Sequence, residues 1–332
     1  MKNFNLLQVL PELESGGIEQ GTIDLANYLG KKKVGSFIVS NGGKMEVLLD
    51  SKNVKHYKIP VHSKNIFNIF SNANKVQRVI YNNDIDIVHV RSRAPAWMLQ
   101  FIKNKKFKLV STFHNIYGTN NFLKTYYNIS LAKVDKIVAI SSFVKSEIIK
   151  KYNINEKKIT VINRGIDTDF YDPKNYTQTE YSNFLVKYNL PHDKKIILYP
   201  GRLTDWKGQI KFLEVLNNLK DKDIYCFFVG DDKNSSYSKK FIREISKKKL
   251  NKICKVLGNL SSLDLKFFYK SCDVVISAPL KPEGFGRTIS ESLSMKKMIL
   301  SYNYGGAKDQ LSKLSHHYKI KPFDNTELKN KI

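Results

Sequence analysis

Lys195-Ile-Ile-Leu-Tyr199 runs into Pro200-Gly-Arg-Leu-Thr-Asp-Trp-Lys-Gly208. A short apolar run, a glycine-punctuated loop and an amphipathic stretch predict a strand over 195–199, a turn, and a helix over 206–220. The first half of the chain already carries this alternation. Its strands are expected at 5–10, 34–39, 54–59, 85–90, 107–113, 136–140 and 158–162. Helices are expected between most of them, at 18–30, 66–82, 121–133 and 141–152. From Lys195 the pattern starts again, with further strands at 223–229, 253–257, 273–277 and 298–302. The helices between them fall at 236–249, 262–271 and 287–297. Alternating strand and helix means a parallel sheet with crossover helices, and a restart means two of them. The expectation is an α/β chain of two doubly wound, Rossmann-like domains facing each other across a cleft. Ligands of such sheets bind beyond the carboxyl ends of the strands.

The bulk numbers agree with two domains. A chain of 332 residues exceeds one typical core. Arg164-Gly-Ile-Asp-Thr-Asp-Phe-Tyr-Asp-Pro-Lys174 is polar and turn-rich, which places the boundary there. The expected division is 1–165, a linker over 166–190, and 191–332. Hydrophobic residues make up 42% and aromatics 12%, which excludes a disordered chain. Cys226, Cys254 and Cys272 form no CxxC pair and lie in or beside apolar runs, so buried, inert thiols are expected rather than a zinc site.

Net charge is +26, with 56 Lys and Arg against 30 Asp and Glu. Such a charge points to an anionic partner. Lysines are nevertheless spread over plain surface helices, as at Lys31-Lys-Lys33 and Lys247-Lys-Lys249, and no nucleic-acid module is recognisable. Attraction to an anionic membrane face is the favoured reading of the charge, with no specific nucleic acid. The apolar start of Met1-Lys-Asn-Phe-Asn-Leu-Leu-Gln-Val-Leu10 is too short for a signal peptide. No run approaches the length of a bilayer span, so a cytoplasmic protein is expected, at most peripheral at the inner membrane face.

Four segments carry the chemistry. Pro282-Glu-Gly-Phe-Gly-Arg-Thr-Ile-Ser-Glu291 sets a glycine turn and a helix start between two carboxylates, Glu283 and Glu291. Backbone N–H groups and a positive helix end suit an anion there, and the carboxylates can accept from hydroxyls. Thr288-Ile-Ser-Glu291 equally fits a capping box, which would make Glu291 a local helix cap. Gly16 and Gly17 follow the first strand and open a helix, so backbone can approach a phosphate or sugar closely. Arg202 and Lys207 follow the first strand of the second half, where they could neutralise a diphosphate. His114 and His89 end two strands, and Arg91 and Arg93 lie just beyond His89. The loop after His114, Asn-Ile-Tyr-Gly118, has the look of a site-forming loop. Asp84-Ile-Asp86 and Asp167-Thr-Asp169 match a metal-binding DxD formally. The first precedes its strand and the second sits in the linker, so both read as structural and no essential metal or other cofactor is expected.

Taken together the chain resembles the retaining, GT-B-fold enzymes of glycosyltransferase family 4 over nearly its whole length. The marks are Glu14-Ser-Gly-Gly17, Thr112-Phe-His114 and Val161-Ile-Asn-Arg-Gly-Ile-Asp167 in the first half. In the second they are Gly201-Arg-Leu203 with Lys207-Gly208, and Glu283 through Glu291, which is the family's E-x7-E motif. Arg91-Ser-Arg-Ala-Pro-Ala-Trp97 and Thr112-Phe-His-Asn-Ile-Tyr-Gly118 are similar to bacterial enzymes of lipopolysaccharide or other envelope glycan assembly. The resemblance implies a nucleotide-sugar donor and a glycan or lipid-linked acceptor. It implies that Arg202 and Lys207 bind the donor diphosphate and stabilise it as leaving group. Glu283 would contact the sugar hydroxyls and Glu291 the ribose, with Gly284, Phe285 and Gly286 lining the donor site and amides of the last two holding sugar or phosphate. Gly16, Gly17 and Arg91 would line the acceptor side, and His114 would stand near the anomeric carbon. Same-face attack, with the departing phosphate taking the acceptor's proton, needs no carboxylate nucleophile of the glycosidase kind.

Two positions depart from the family. Arg164 stands where Asn is common, and the sequence ends at Asp324-Asn-Thr-Glu-Leu-Lys-Asn-Lys-Ile332 without the expected crossover helix. A sugar-nucleotide epimerase or hydrolase of the same shape, or a non-catalytic basic binding protein, are the alternative readings.

Overall fold

The computed structural model describes residues 4–14, 16–63, 65–103, 106–118, 121–230 and 235–332. They form two compact units, Met1–Arg164 and Gly165–Ile332.

Unit 1 begins with β1 (Asn5–Val9), α1 (Gly17–Lys31), β2 (Gly35–Ser40), β3 (Val54–Lys58), α2 (Ile66–Asn82) and β4 (Ile87–Val90). It continues with α3 (Arg93–Met98), β5 (Lys108–Phe113), α4 (Phe122–Asn128), β6 (Lys136–Ala139), α5 (Ser142–Tyr152) and β7 (Ile159–Val161). The sheet is parallel with order β3-β2-β1-β4-β5-β6-β7. Successive strands first go one way from β1 and then the other, so the switch point lies between β1 and β4. β1 is buried along nearly its whole length, on both faces, which is why a parallel central strand reads as a continuous apolar run. Thr22, Ile23, Ala26 and Gly30 are the buried stripe of α1.

Unit 2 comprises α6 (Gln178–Tyr188), β8 (Lys195–Pro200), α7 (Gln209–Asn217), β9 (Ile224–Val229), α8 (Ser236–Lys247), β10 (Cys254–Gly258) and α9 (Ser262–Ser271). After these come β11 (Val274–Ser277), α10 (Arg287–Ser294), β12 (Met298–Tyr302), α11 (Ala307–Leu311), β13 (Lys319–Ile320) and α12 (Asn325–Lys331). Its sheet repeats the topology as β10-β9-β8-β11-β12-β13. Side chains alternate across it with period two. Ile197, Tyr199, Cys226, Phe228, Ile276 and Leu300 enter one core, and Ile196, Leu198, Phe227, Val229, Val275 and Ile299 the other.

Residues 166–190, expected as linker, hold α6. Thr177 and Glu180 close a reciprocal capping box at its start, and left-handed Asn189 ends it. Tyr171, Phe184 and Leu190 pack into the second core of unit 2. The three cysteines are free and buried, as read from sequence. Burial pushes the Cys254 and Cys272 thiols up to about 12.

Both DxD stretches serve the backbone. Asp86 accepts from the Asn5 N–H at 2.8 Å at the amino edge of the unit 1 sheet. Asp167 accepts from the Phe170 N–H at 2.9 Å. Among the described residues, no helix is long and apolar enough to cross a membrane.

Candidate active site

Arg202, Lys207 and the Glu283–Gly286 turn lie past carboxyl strand ends of unit 2, as a doubly wound sheet requires, and Glu291 lies within the helix that follows. The loop after β8 carries Gly201, Arg202 and Lys207, and Arg202 is exposed. Lys207 turns back: its Nζ donates to Glu283 Oε1 across 76 residues of sequence. Both side chains are mostly covered, at 19% and 11% exposure. The Lys207 ammonium also stands 4.9 Å from the centre of the Trp206 ring, and its carbonyl accepts from the buried Tyr199 hydroxyl at 2.6 Å. The pair is therefore fixed from both ends of the lysine. Charged partners in a dry setting interact far more strongly than exposed ones.

The turn after Glu283 is built by close backbone packing. Gly286 is the N-cap of α10 at φ 87°, and no side chain caps the helix. A Cβ there would stand 3.1 Å from Glu283 Oε2, so the carboxylate folds over the turn. Gly306 lies directly beneath: a Cβ on it would meet Gly284 O at 2.1 Å. Its N–H donates to Glu283 O at 2.8 Å. Gln310 braces the same loop, donating to Phe285 O and Gly286 O and accepting from Ser290 Oγ at 2.6 Å. Phe285 is buried at 5% exposure. The outcome is an uncapped helix start, free of side-chain caps, beside a carboxylate and an ammonium.

The structure corrects the capping-box reading of Thr288 and Glu291. With Gly286 as N-cap, Thr288 is already inside α10, and Glu291 is buried at 8% exposure. Its Oε2 accepts from the Tyr269 hydroxyl at 2.9 Å and its Oε1 from Arg287 Nε at 3.2 Å. The carboxylate is thus held by side chains and not by the helix backbone.

In unit 1, Gly16 takes φ 127° as N-cap of α1, again with no side-chain cap. Ser15, in the same motif, lies outside the described residues. Arg164 Nη2 donates to Gly17 O, and its Nη1 meets His114 Nδ1 at 3.2 Å. A guanidinium only donates, so Nδ1 accepts and the imidazole proton sits on Nε2. That Nε2 is buried and, among the described residues, has no hydrogen-bond partner. Burial, then the charges of Arg164 and Arg91, hold the His114 pKa well below its ordinary value, so the ring is neutral at neutral pH. Buried polar groups are ordinarily hydrogen-bonded, so a buried N–H donor without a partner among the described residues is a mark of a functional position.

Arg91, expected on the rim, is instead sunk beneath it at 6% exposure. Its Nε donates to Gln8 Oε1 at 2.9 Å, and Gln8 donates to Thr22 O at 2.9 Å. Burial and the nearby Arg164 bring its pKa down to about 9. Bare Gly21 leaves room for the Arg164 guanidinium, since a Cβ there would lie 2.7 Å from its Nη2. His89 is structural, paired with Thr112 Oγ1 at 2.7 Å. Sequence reasoning passed over Gln8, Gly21, Tyr269, Gly306 and Gln310, none of which sits in a motif.

Residues 15–170 match the model for Glycosyltransferase Family 4, and residues 181–332 match that for Glycosyl transferases group 1. A crystal structure of a glycosyltransferase from Rickettsia africae aligns at TM-score 0.88 and 38% identity, covering 100% of this chain and 87% of that one. HepE from Anabaena, solved with UDP and glucose, aligns at TM-score 0.82 and 20% identity over 99% of this chain and 88% of its own, which shows the fold. The phosphatidylinositol N-acetylglucosaminyltransferase GPI3 subunit of Saccharomyces cerevisiae is 23% identical over 255 residues, 73% of this chain. The chain spans between 54% and 59% of the length of the first curated relatives it matches.

Proposed function

The chain belongs to the family 4 glycosyltransferases of GT-B fold, and from that premise we propose that it transfers a sugar from a nucleotide donor to an envelope glycan or lipid-linked acceptor, with retention at the anomeric carbon. The observation that carries this reading is the Lys207–Glu283 pair beside the uncapped start of α10. Arg202 and Lys207 meet the donor diphosphate and neutralise the charge that grows on it as the bond to the anomeric carbon breaks. Two cations and a helix start supply that neutralisation without a metal. Glu283 accepts from the sugar hydroxyls, amides of Phe285 and Gly286 bind sugar or phosphate, and Glu291 accepts from the ribose. His114 gives its buried Nε2–H to an oxygen near the reacting carbon. On the acceptor side stand Gly16 and Gly17, with Arg91 sunk beneath the rim.

Retention follows from same-face attack. The acceptor hydroxyl forms its bond to the anomeric carbon as the phosphate leaves, and the phosphate takes the hydroxyl proton. Glu283, tied to an ammonium, acts as a hydrogen-bond acceptor and not as a nucleophile. The UDP and glucose in HepE support a nucleotide-sugar donor. The acceptor class rests on the resemblance of 91–97 and 112–118 to envelope-glycan enzymes, and on the lipid named in the yeast relative. Net charge of +26 would hold a cytoplasmic enzyme at an anionic membrane face. The test is transfer by Lys207→Ala and Glu283→Ala with folding verified, and the anomeric configuration of the wild-type product read by NMR. Unchanged turnover in both variants, or an inverted product, would sink the proposal.

A further inference from the structure

Arg93, which opens α3, and Tyr117, in the loop that begins at His114, meet in unit 1. The Arg93 guanidinium lies 4.0 Å from the centre of the Tyr117 ring and 5.6 Å from that of Tyr127. Its Nη1 donates to Asn128 Oδ1 at 2.8 Å. The Nδ2 of the same amide donates to Gly118 O at 2.8 Å, which fixes the amide with its oxygen toward the arginine. These five residues and Lys124 wall a cavity of about 530 Å³, within the range of small-molecule sites.

The charge of this cavity is one-sided. Arg93 and Lys124 are its cations, and no Asp or Glu is among the described residues that line it. A guanidinium against a ring face is held by the ring's negative quadrupole, while its N–H donors point outward in its own plane. That is the geometry a carboxylate or phosphate takes up in paired hydrogen bonds. Burial raises the pKa of both Tyr117 and Tyr127, so their hydroxyls stay protonated and can serve a polyhydroxyl ring.

We propose that this cavity is a subsite for an anionic saccharide, whose phosphate or carboxylate is held by Arg93 and Lys124 and whose hydroxyls meet Tyr117 and Tyr127. Naming that saccharide as the acceptor rests on the transferase reading above; its binding here does not. The caged arginine sets the specificity, and the exposed Lys124 adds attraction.

Calorimetry on the intact protein tests this with glucose 6-phosphate, glucuronate and glucose as probes, and with UDP binding measured on the same preparations. At least one anionic sugar binds roughly 10-fold or more tighter than glucose, the span of a charge-assisted pair. Arg93→Gln and Lys124→Gln weaken that binding, Arg93→Gln by roughly 10-fold or more, while UDP affinity and thermal midpoint hold. Lys124→Gln changes an exposed side chain and guards against loss of folding. Loss of UDP binding with anionic sugars still bound would tell against the transferase reading and leave this one standing. Glucose binding as tightly as the anionic sugars, no binding of these up to roughly 10 mM, or unchanged affinity in both variants would overturn it.

Discussion

Lys207 Nζ and Glu283 Oε1 are ion-paired across two loops of unit 2, each side chain mostly covered by protein. The lysine's charge is therefore already partnered before any diphosphate arrives, and the carboxylate is oriented by the lysine. Removing either member leaves the other charge without its partner in a low-dielectric setting. Lys207→Ala and Glu283→Ala should each lower kcat/KM by roughly 100- to 1,000-fold, the size of losing one preorganised electrostatic group. The double variant should be little worse than either single, because the two act as a unit. Steady-state kinetics on all three variants checks this, and additive losses would mean the two residues act separately.

Gly306 sits under the glycine turn with no space for a methyl group, since an added Cβ would meet Gly284 O at 2.1 Å. Gly306→Ala must displace the 283–286 turn, which carries the partner of Lys207. A displacement of about 1 Å at such a site costs about 100-fold in rate, so kcat/KM should fall by that order. Gly165→Ala is the control. Nothing lies within 4 Å of a Cβ at Gly165, and its activity should match wild type.

The strands were legible because each is a β-branched or apolar run between turn residues, and the observed bounds stay within two residues of those read. Other elements were hidden for physical reasons. Helix α3 contains Pro95 directly after a strand, a residue that signals a break but is tolerated in a helix's first turn. Helix α6 follows a polar, proline-bearing stretch that masks its capping box at Thr177, whereas the box that Thr288 and Glu291 could make by spacing does not form. β13 has two residues, too few for any periodicity. Within the site, motif residues were readable one by one, since Arg, Lys, Glu and His carry recognisable chemistry at strand ends. The Lys207–Glu283 contact and the Gly306 and Gln310 braces depend on how separate loops pack, which local spacing does not encode.

Tyr269 is fully buried and gives its hydroxyl to Glu291. If Glu291 were a helix cap, losing that hydroxyl would leave its role intact. Held as it is by Tyr269 and Arg287, the carboxylate loses a fixed donor in Tyr269→Phe. A buried acceptor deprived of its partner costs roughly 1–3 kcal/mol. The variant should be less stable than wild type by that amount, melt at a lower temperature and bind donor nucleotide more weakly. A thermal melt with and without nucleotide reads both, and an unchanged midpoint would show that the contact contributes nothing.

His89 and His114 are both buried neutral, and burial is the leading cause of the lowered pKa in each. The sign follows directly. Unfolding exposes them to water, where an imidazole takes up a proton near pH 6.5. Below that pH the unfolded chain binds protons that the folded chain refuses, so stability falls as pH falls. Above about pH 7 neither state is protonated and the effect vanishes. The loss should approach about 1.4 kcal/mol per pH unit for each histidine between pH 6.5 and its lowered folded pKa. Denaturant unfolding at pH 7.5, 6.5 and 5.5 measures it. His56, whose pKa burial also lowers, adds to the same slope, so His114→Gln should remove only its own share while leaving the stability at pH 7.5 less affected than that at pH 5.5. A slope unchanged by the substitution would mean that His114 is protonated in the folded protein, and that its Nδ1 does not accept from Arg164.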